Sequence, residues 1–151
     1  VVHADIPRIV QVGFQMMGWP GISHFLLSRP GFRWLMRSVG VNNAAVVTSE
    51  LVDAYRMPWV NDAAGRRSFR KLILVPIKDL VEPAANLKNI NMPTLILWAE
   101  NDRVCPVHEA HRLNKYLAHA QLVTIANAGH FLQEDQPERV TQHMVDFLVS
   151  A

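Results

Sequence analysis

A single cysteine, Cys105, is all the thiol chemistry in this 151-residue chain. One cysteine excludes an internal disulfide framework and fits a reducing compartment, so a cytoplasmic location is expected. No apolar run reaches the roughly 20 residues that span a bilayer, and the first residues show no secretory signal. Basic runs are missing beyond Arg66-Arg67 and Arg70-Lys71, and 15 Lys and Arg against 13 Asp and Glu leave a formal charge of only +2. Neither a nucleic-acid nor a membrane partner is therefore expected. The chain also lacks a glycine-framed nucleophile: Ser23, Ser28, Ser38, Ser49, Ser68 and Ser150 have no G-x-S-x-G setting.

Apolar residues, in contrast, make up 50% of the chain, enough to bury one core. Residues 1–7 read as the end of a core strand, so the chain is expected to be a piece of a longer one. Residues 8–80 are helical in pattern. Short helices are separated by Gly18-Trp19-Pro20-Gly21 and by Arg29-Pro30-Gly31. Asn43 is the expected N-cap of a firmer helix with Val47, Leu51, Val52 and Tyr55 on one face, and Pro58 is expected to end it. Asp62 caps the next, with Phe69, Leu72 and Ile73 inward and Arg66, Arg67, Arg70 and Lys71 outward.

The pattern changes in residues 81–151. Leu95-Ile96-Leu97-Trp98 is apolar without alternation, as in a strand covered on both faces of a parallel sheet. A helix over 107–118, a strand over 121–126 and a last helix from Pro137 follow. The last helix carries Val140, Met144, Phe147 and Leu148 as its core stripe. This β-α-β-α order is the end of a doubly wound α/β sheet.

Catalytic groups in such sheets sit at the carboxyl ends of the strands. Asp102 lies just past the first strand, and His130, 28 residues later, just past the second. An Asp in that place often only caps a turn, and a lone His is more often a packing residue. The two together, in this order and strand context, form the acid and base of a triad. Gly129 is expected to give the turn the freedom to aim the ring. Glu100 is a weaker alternative acid, and Glu134 and Asp135 are expected to serve the turn and the start of the last helix.

The stretches Trp98-Ala99-Glu100-Asn101-Asp102-Arg103-Val104-Cys105-Pro106 and Ala128-Gly129-His130-Phe131-Leu132-Gln133-Glu134-Asp135-Gln136-Pro137-Glu138 resemble the acid and histidine loops of the α/β-hydrolase superfamily. The nearest branch contains epoxide hydrolases, haloalkane dehalogenases and related esterases. The helical segment resembles the cap of that group. The resemblance implies an α/β fold in which 1–7 is the end of a core strand, 8–80 a helical cap and 81–151 the C-terminal part of the core. It implies Asp102 as triad acid, His130 as base, and Val104 and Phe131 beside the substrate pocket. No metal or organic cofactor is implied.

Hydrolysis of a small hydrophobic carboxylic ester is the favoured reaction. An aspartate nucleophile, with epoxide or haloalkane chemistry, is the alternative. The helical segment offers one tyrosine, Tyr55, where epoxide hydrolases use two. Without a nucleophile the chain alone is expected to be inactive, completed by an N-terminal half or assembled as a homo-oligomer. A non-catalytic binding or assembly module is the third reading.

Overall fold

The computed structural model describes residue 16 and residues 19–74 and 87–150. The expected strand over 1–7 and the side chains of Leu72 and Ile73 lie outside what is described. The chain divides into two compact units. One holds residues 39–46 together with the C-terminal part from 87 on; the other holds the helices of 19–38 and 47–74. Among the described residues, no helix is long and apolar enough to cross a membrane.

In the helical unit, α1 spans Pro20–Leu26 and α2 spans Arg29–Leu35. Pro20 and Pro30 each sit in a first turn, where their missing N–H costs nothing. Pro20-Gly21 and Arg29-Pro30-Gly31 therefore start helices rather than separate them. Ser28 caps α2 by accepting from Gly31 N at 3.2 Å.

Helix α3 spans Ser49–Val60, and its cap is Thr48, which accepts from Leu51 N at 3.2 Å. Asn43 instead caps a 3-10 turn, Ala44–Val46, accepting from Ala45 N at 3.0 Å. Pro58 does not end α3 but lies inside its last turn. The turn survives because Asn61 N reaches Met57 O, so the bond that proline lacks is not the one that closes the helix.

Helix α4 spans Ala63–Leu74 and is capped by Asp62, which accepts from Gly65 N at 2.7 Å. Phe69 is buried and stacks obliquely on Trp59, while Arg66, Arg67, Arg70 and Lys71 face solvent. Arginines stitch the helices: Arg29 grips Asp53 with two bonds of 2.9 and 2.8 Å, and Arg56 Nη1 donates to Leu27 O at 3.1 Å.

In the other unit, β1 (Thr94–Ala99) and β2 (Ala120–Ile125) pair in parallel, Thr94 opposite Ala120 through Ala99 opposite Ile125. Between them runs α5, His108–Asn114, and after them come α6, Leu132–Asp135, and α7, Pro137–Ser150. Successive strand residues point to opposite faces. Leu97, Ala99, Val123 and Ile125 pack with Val140 of α7. Ile96, Trp98 and Leu122 pack with Ala110 of α5 and with Leu117. Both faces are covered, which is why β1 shows no polar alternation.

The stripe expected on α7 is only partly internal. Val140 is buried, but Met144 is 49% and Leu148 71% exposed. Among the described residues, Val140 is the α7 side chain in the buried cluster on its face of the sheet.

Candidate active site

Parallel pairing in register puts the ends of β1 and β2 side by side, and the two following loops meet. Asp102 and His130 meet with them: Nδ1 of His130 donates to Oδ2 of Asp102 at 2.9 Å. The acid side chain is 7% exposed and the imidazole 37%. The pair is thus a shielded carboxylate behind a ring with an open edge.

The acid loop is held by its own backbone. Oδ1 of Asp102 accepts from Val104 N and Cys105 N, both at 2.8 Å. Trp98 Nε1 donates to the Cys105 carbonyl at 2.8 Å, closing the loop from the strand side. Burial by itself would push the Asp102 carboxyl up. The bonds from His130, Cys105 and Val104 outweigh it and hold the group below its ordinary value. The neighbouring Cys105 thiol is pushed up, first by burial and then by the charges of Asp102 and Glu109.

The histidine loop is held from outside. Asn127 takes the left-handed turn, at φ 59°, a region asparagine tolerates. The carbonyl of Ala126 accepts from Arg139, that of Asn127 from Gln136, and that of Ala128 from Asn101 N. Phe131 N donates to Gly40 O at 2.7 Å. Oδ2 of Asp135 accepts from Gly129 N at 2.8 Å and from Asn42 N at 2.7 Å, and Oδ1 accepts from Asn43 N at 2.9 Å. One carboxylate thus binds the histidine turn to a segment more than 90 residues from Asp135 in sequence.

Gly129 has no positive φ, so conformational freedom is not what it supplies. A Cβ there would lie 2.8 Å from Asn42 N and Val41 C and 3.0 Å from Gly40 O. Glycine is needed because the 40–42 backbone passes directly over it.

The other residues singled out in the sequence fall in different places. Val104 is half-buried, and its amide belongs to the Asp102 cradle. The Phe131 ring lies 5.5 Å from the imidazole, tilted by 45°. A separate recess on the helical unit, lined by Arg29, Pro30, Arg33, Trp34 and Arg37, includes neither. Glu100 is exposed and accepts from Thr124 Oγ1 at 3.2 Å, so it is engaged away from the histidine pair. Asp135 does serve the turn, as expected, but its reach to Asn42 and Asn43 has no local signal in sequence.

The profile of the alpha/beta hydrolase family matches residues 3–143. The chain belongs to this family. An uncharacterized hydrolase of Bacillus subtilis (strain 168), YugF, is 31% identical over 108 residues, which are 72% of this chain and 38% of that protein. Monoacylglycerol lipase ABHD6 of Bos taurus is 34% identical over 84 residues, 54% of this chain and 25% of the lipase. Among solved structures, the meta-cleavage product hydrolase CumD of Pseudomonas fluorescens IP01 superposes with a TM-score of 0.70 at 24% identity, covering 89% of this chain and 50% of the other. That likeness establishes the alpha/beta hydrolase fold. The chain spans half or less of the length of each of these relatives.

Proposed function

We propose that this chain supplies the acid, Asp102, and the base, His130, of a nucleophile–His–Asp triad that hydrolyses a small hydrophobic carboxylic ester. The observation that carries the reading is the 2.9 Å bond from His130 Nδ1 to a carboxylate whose other oxygen is already committed to two backbone amides. A carboxylate fixed in this way keeps the proton on Nδ1 and leaves Nε2 as the basic lone pair. His130 then takes the nucleophile's proton, returns it to the leaving group, and activates the water that releases the acyl intermediate. Asp102 steadies the imidazolium in each half-reaction. Val104 and Phe131 flank the pair and line the acyl pocket.

The ester reading is supported by the likeness to monoacylglycerol lipase. Neither the monoacylglycerol lipase nor CumD is named as an epoxide hydrolase or a haloalkane dehalogenase, so the aspartate-nucleophile branch has less to support it. No serine in these 151 residues has the elbow setting, so the nucleophile comes from outside them. The chain alone is inactive in this reading.

The test is turnover of p-nitrophenyl acetate. The chain by itself is expected to stay at background. A protein that joins it to a glycine-framed nucleophile segment is expected to turn over, with His130→Ala lowering kcat by about 10⁴-fold or more. Activity of the chain alone that His130→Ala abolishes would refute the missing-nucleophile part. Activity of the joined protein that survives His130→Ala would refute the triad.

A further inference from the structure

Cys105 takes no part in the triad, yet it lies against it. One ligand atom each from Asp102, Cys105 and His130 falls within 4.8 Å of the other two, and all three residues are half-buried. We propose that these residues form a binding site for a soft divalent cation such as Zn²⁺, and that the bound cation switches off His130 as a base. The switching half rests on the reading of His130 as the triad base; the binding half does not.

The donor set selects the ion. A thiolate, an imidazole and a carboxylate suit zinc, whereas magnesium and calcium prefer oxygen ligands alone. Carboxylate and thiolate together neutralise the two charges of the cation, so the occupied site carries no net charge. Zinc bonds of about 2.0–2.3 Å place tetrahedral ligands roughly 3.3–3.7 Å apart. The sulfur must therefore close in by up to about 1 Å, within reach of a rotation of the Cys105 side chain, while Nδ1 and Oδ2, now 2.9 Å apart, open by about 0.4 Å or more through a small shift of the ring.

The main chain needs no rearrangement. Cys105 is fixed on both sides, its N–H to Asp102 Oδ1 and its carbonyl to Trp98 Nε1. The same bonds orient the carboxylate, as outer-shell partners do in established metal sites. Three protein ligands leave the fourth position to water.

The proton balance gives the effect on catalysis. On binding, the Cys105 thiol gives its proton to solvent, and the cation takes the Nδ1 lone pair. The proton that Nδ1 donated to Asp102 moves to Nε2. Nε2–H cannot accept a proton from a nucleophile or from water, so the base is lost while the fold is kept. No other pair among the seven histidines needs to be involved. His108 and His111 lie one helical turn apart on α5 and are the competing site to exclude.

The experiment is a Co²⁺ titration of the purified protein, followed by displacement with Zn²⁺ in a calorimeter. One equivalent of Co²⁺ is expected to give a thiolate-to-metal charge-transfer band that Zn²⁺ abolishes. Cys105→Ala and Cys105→Ser should both remove the band and weaken Zn²⁺ by at least about 100-fold, more than the loss of an outer-shell partner causes. The His108→Ala/His111→Ala double variant should keep both. A missing band, a band that survives in the Cys105 variants, or one lost in the double variant overturns the site. In the nucleophile-bearing protein, Zn²⁺ should abolish ester turnover and EDTA restore it. Binding without inhibition overturns the switch and leaves the site standing. Absence of ester turnover in metal-free protein counts against the hydrolase reading alone.

Discussion

The two loops that present the dyad are built by different means. The acid loop is held mostly by its own residues: Asp102 accepts from residues two and three positions ahead, Trp98 ties down Cys105 from the strand it follows, and one side-chain bond, from Asn101 Nδ2 to Asn42 Oδ1 at 2.8 Å, reaches a distant segment. The histidine loop is clamped by Gly40, by Asn101, and, through Asp135, by Asn42 and Asn43. A loop of the first kind draws most of its bonds from its own few residues. A loop of the second kind exists only after distant parts of the chain have assembled. The acid is therefore placed by local chemistry and the base by tertiary structure.

The contrast breaks most severely at Asp135. Asp135→Ala leaves the amides of Gly129, Asn42 and Asn43 without their charged acceptor. Charge-assisted bonds contribute about 1.5–3 kcal/mol each, and water recovers part of the loss, so about 3 kcal/mol of destabilisation is expected from urea unfolding. Asp135→Asn should fall between the two, because its amide group can accept at one oxygen only. A loss below about 1 kcal/mol for Asp135→Ala would mean that the clamp does not hold the loop.

Gly129→Ala comes next. Its Cβ meets backbone, which cannot rotate away, and overpacking of this kind costs about 1–3 kcal/mol. Amide hydrogen exchange should quicken across both 40–43 and 127–131 while the acid loop stays protected. Exchange that quickens in only one of the two segments would contradict their coupling.

The matching change in the acid loop is milder. Trp98→Phe keeps an aromatic ring, smaller than the indole, and removes the donor to Cys105 O, at a cost of about 1 kcal/mol for the bond. Its effect on exchange should stay within 98–105. Spread into the histidine loop would show that the acid loop is less self-contained than its bonds suggest.

The smallest expected effect is a pH dependence. Asp102 is held below its ordinary value when folded, so the unfolded chain binds its proton more readily than the folded one. Its contribution is complete above the ordinary carboxylate range, near pH 3.9, and is lost as pH falls through the lowered folded value. The stability gap between wild type and Asp102→Asn should be constant from neutral pH down to that range and shrink below it. A gap that widens with acid would have the wrong sign.

What could be read from sequence follows the same division. Thr94–Ala99 shows its burial on both faces by apolar residues alone, and Asp102 and His130 follow strand ends that carry the signal for them. Asp62 caps α4 as its position suggests, because a cap is a contact over three residues. Contacts of long range leave no such trace. Asn43 has the side chain of a cap and does cap, but in the packed structure it caps the 3-10 turn, while Thr48 caps α3. Gly129 looks like a hinge until the 40–42 backbone is seen beside it. Leu148 fits the helical stripe of α7, yet it is 71% exposed.

The clamp at Asp135 also bears on how this molecule can be taken apart. Residues 39–46 stand in the middle of the helical sequence but belong to the unit that carries the dyad. A gene cut made where that unit resumes, near residue 82, would give a piece with both strands, Asp102 and His130. It would lack the strip of backbone that Asp135 grips. The unit that supports the dyad is thus discontinuous in the gene although compact in space. A shortened catalytic half, or a chimera with another family member, has to carry residues 39–46 along with the strands.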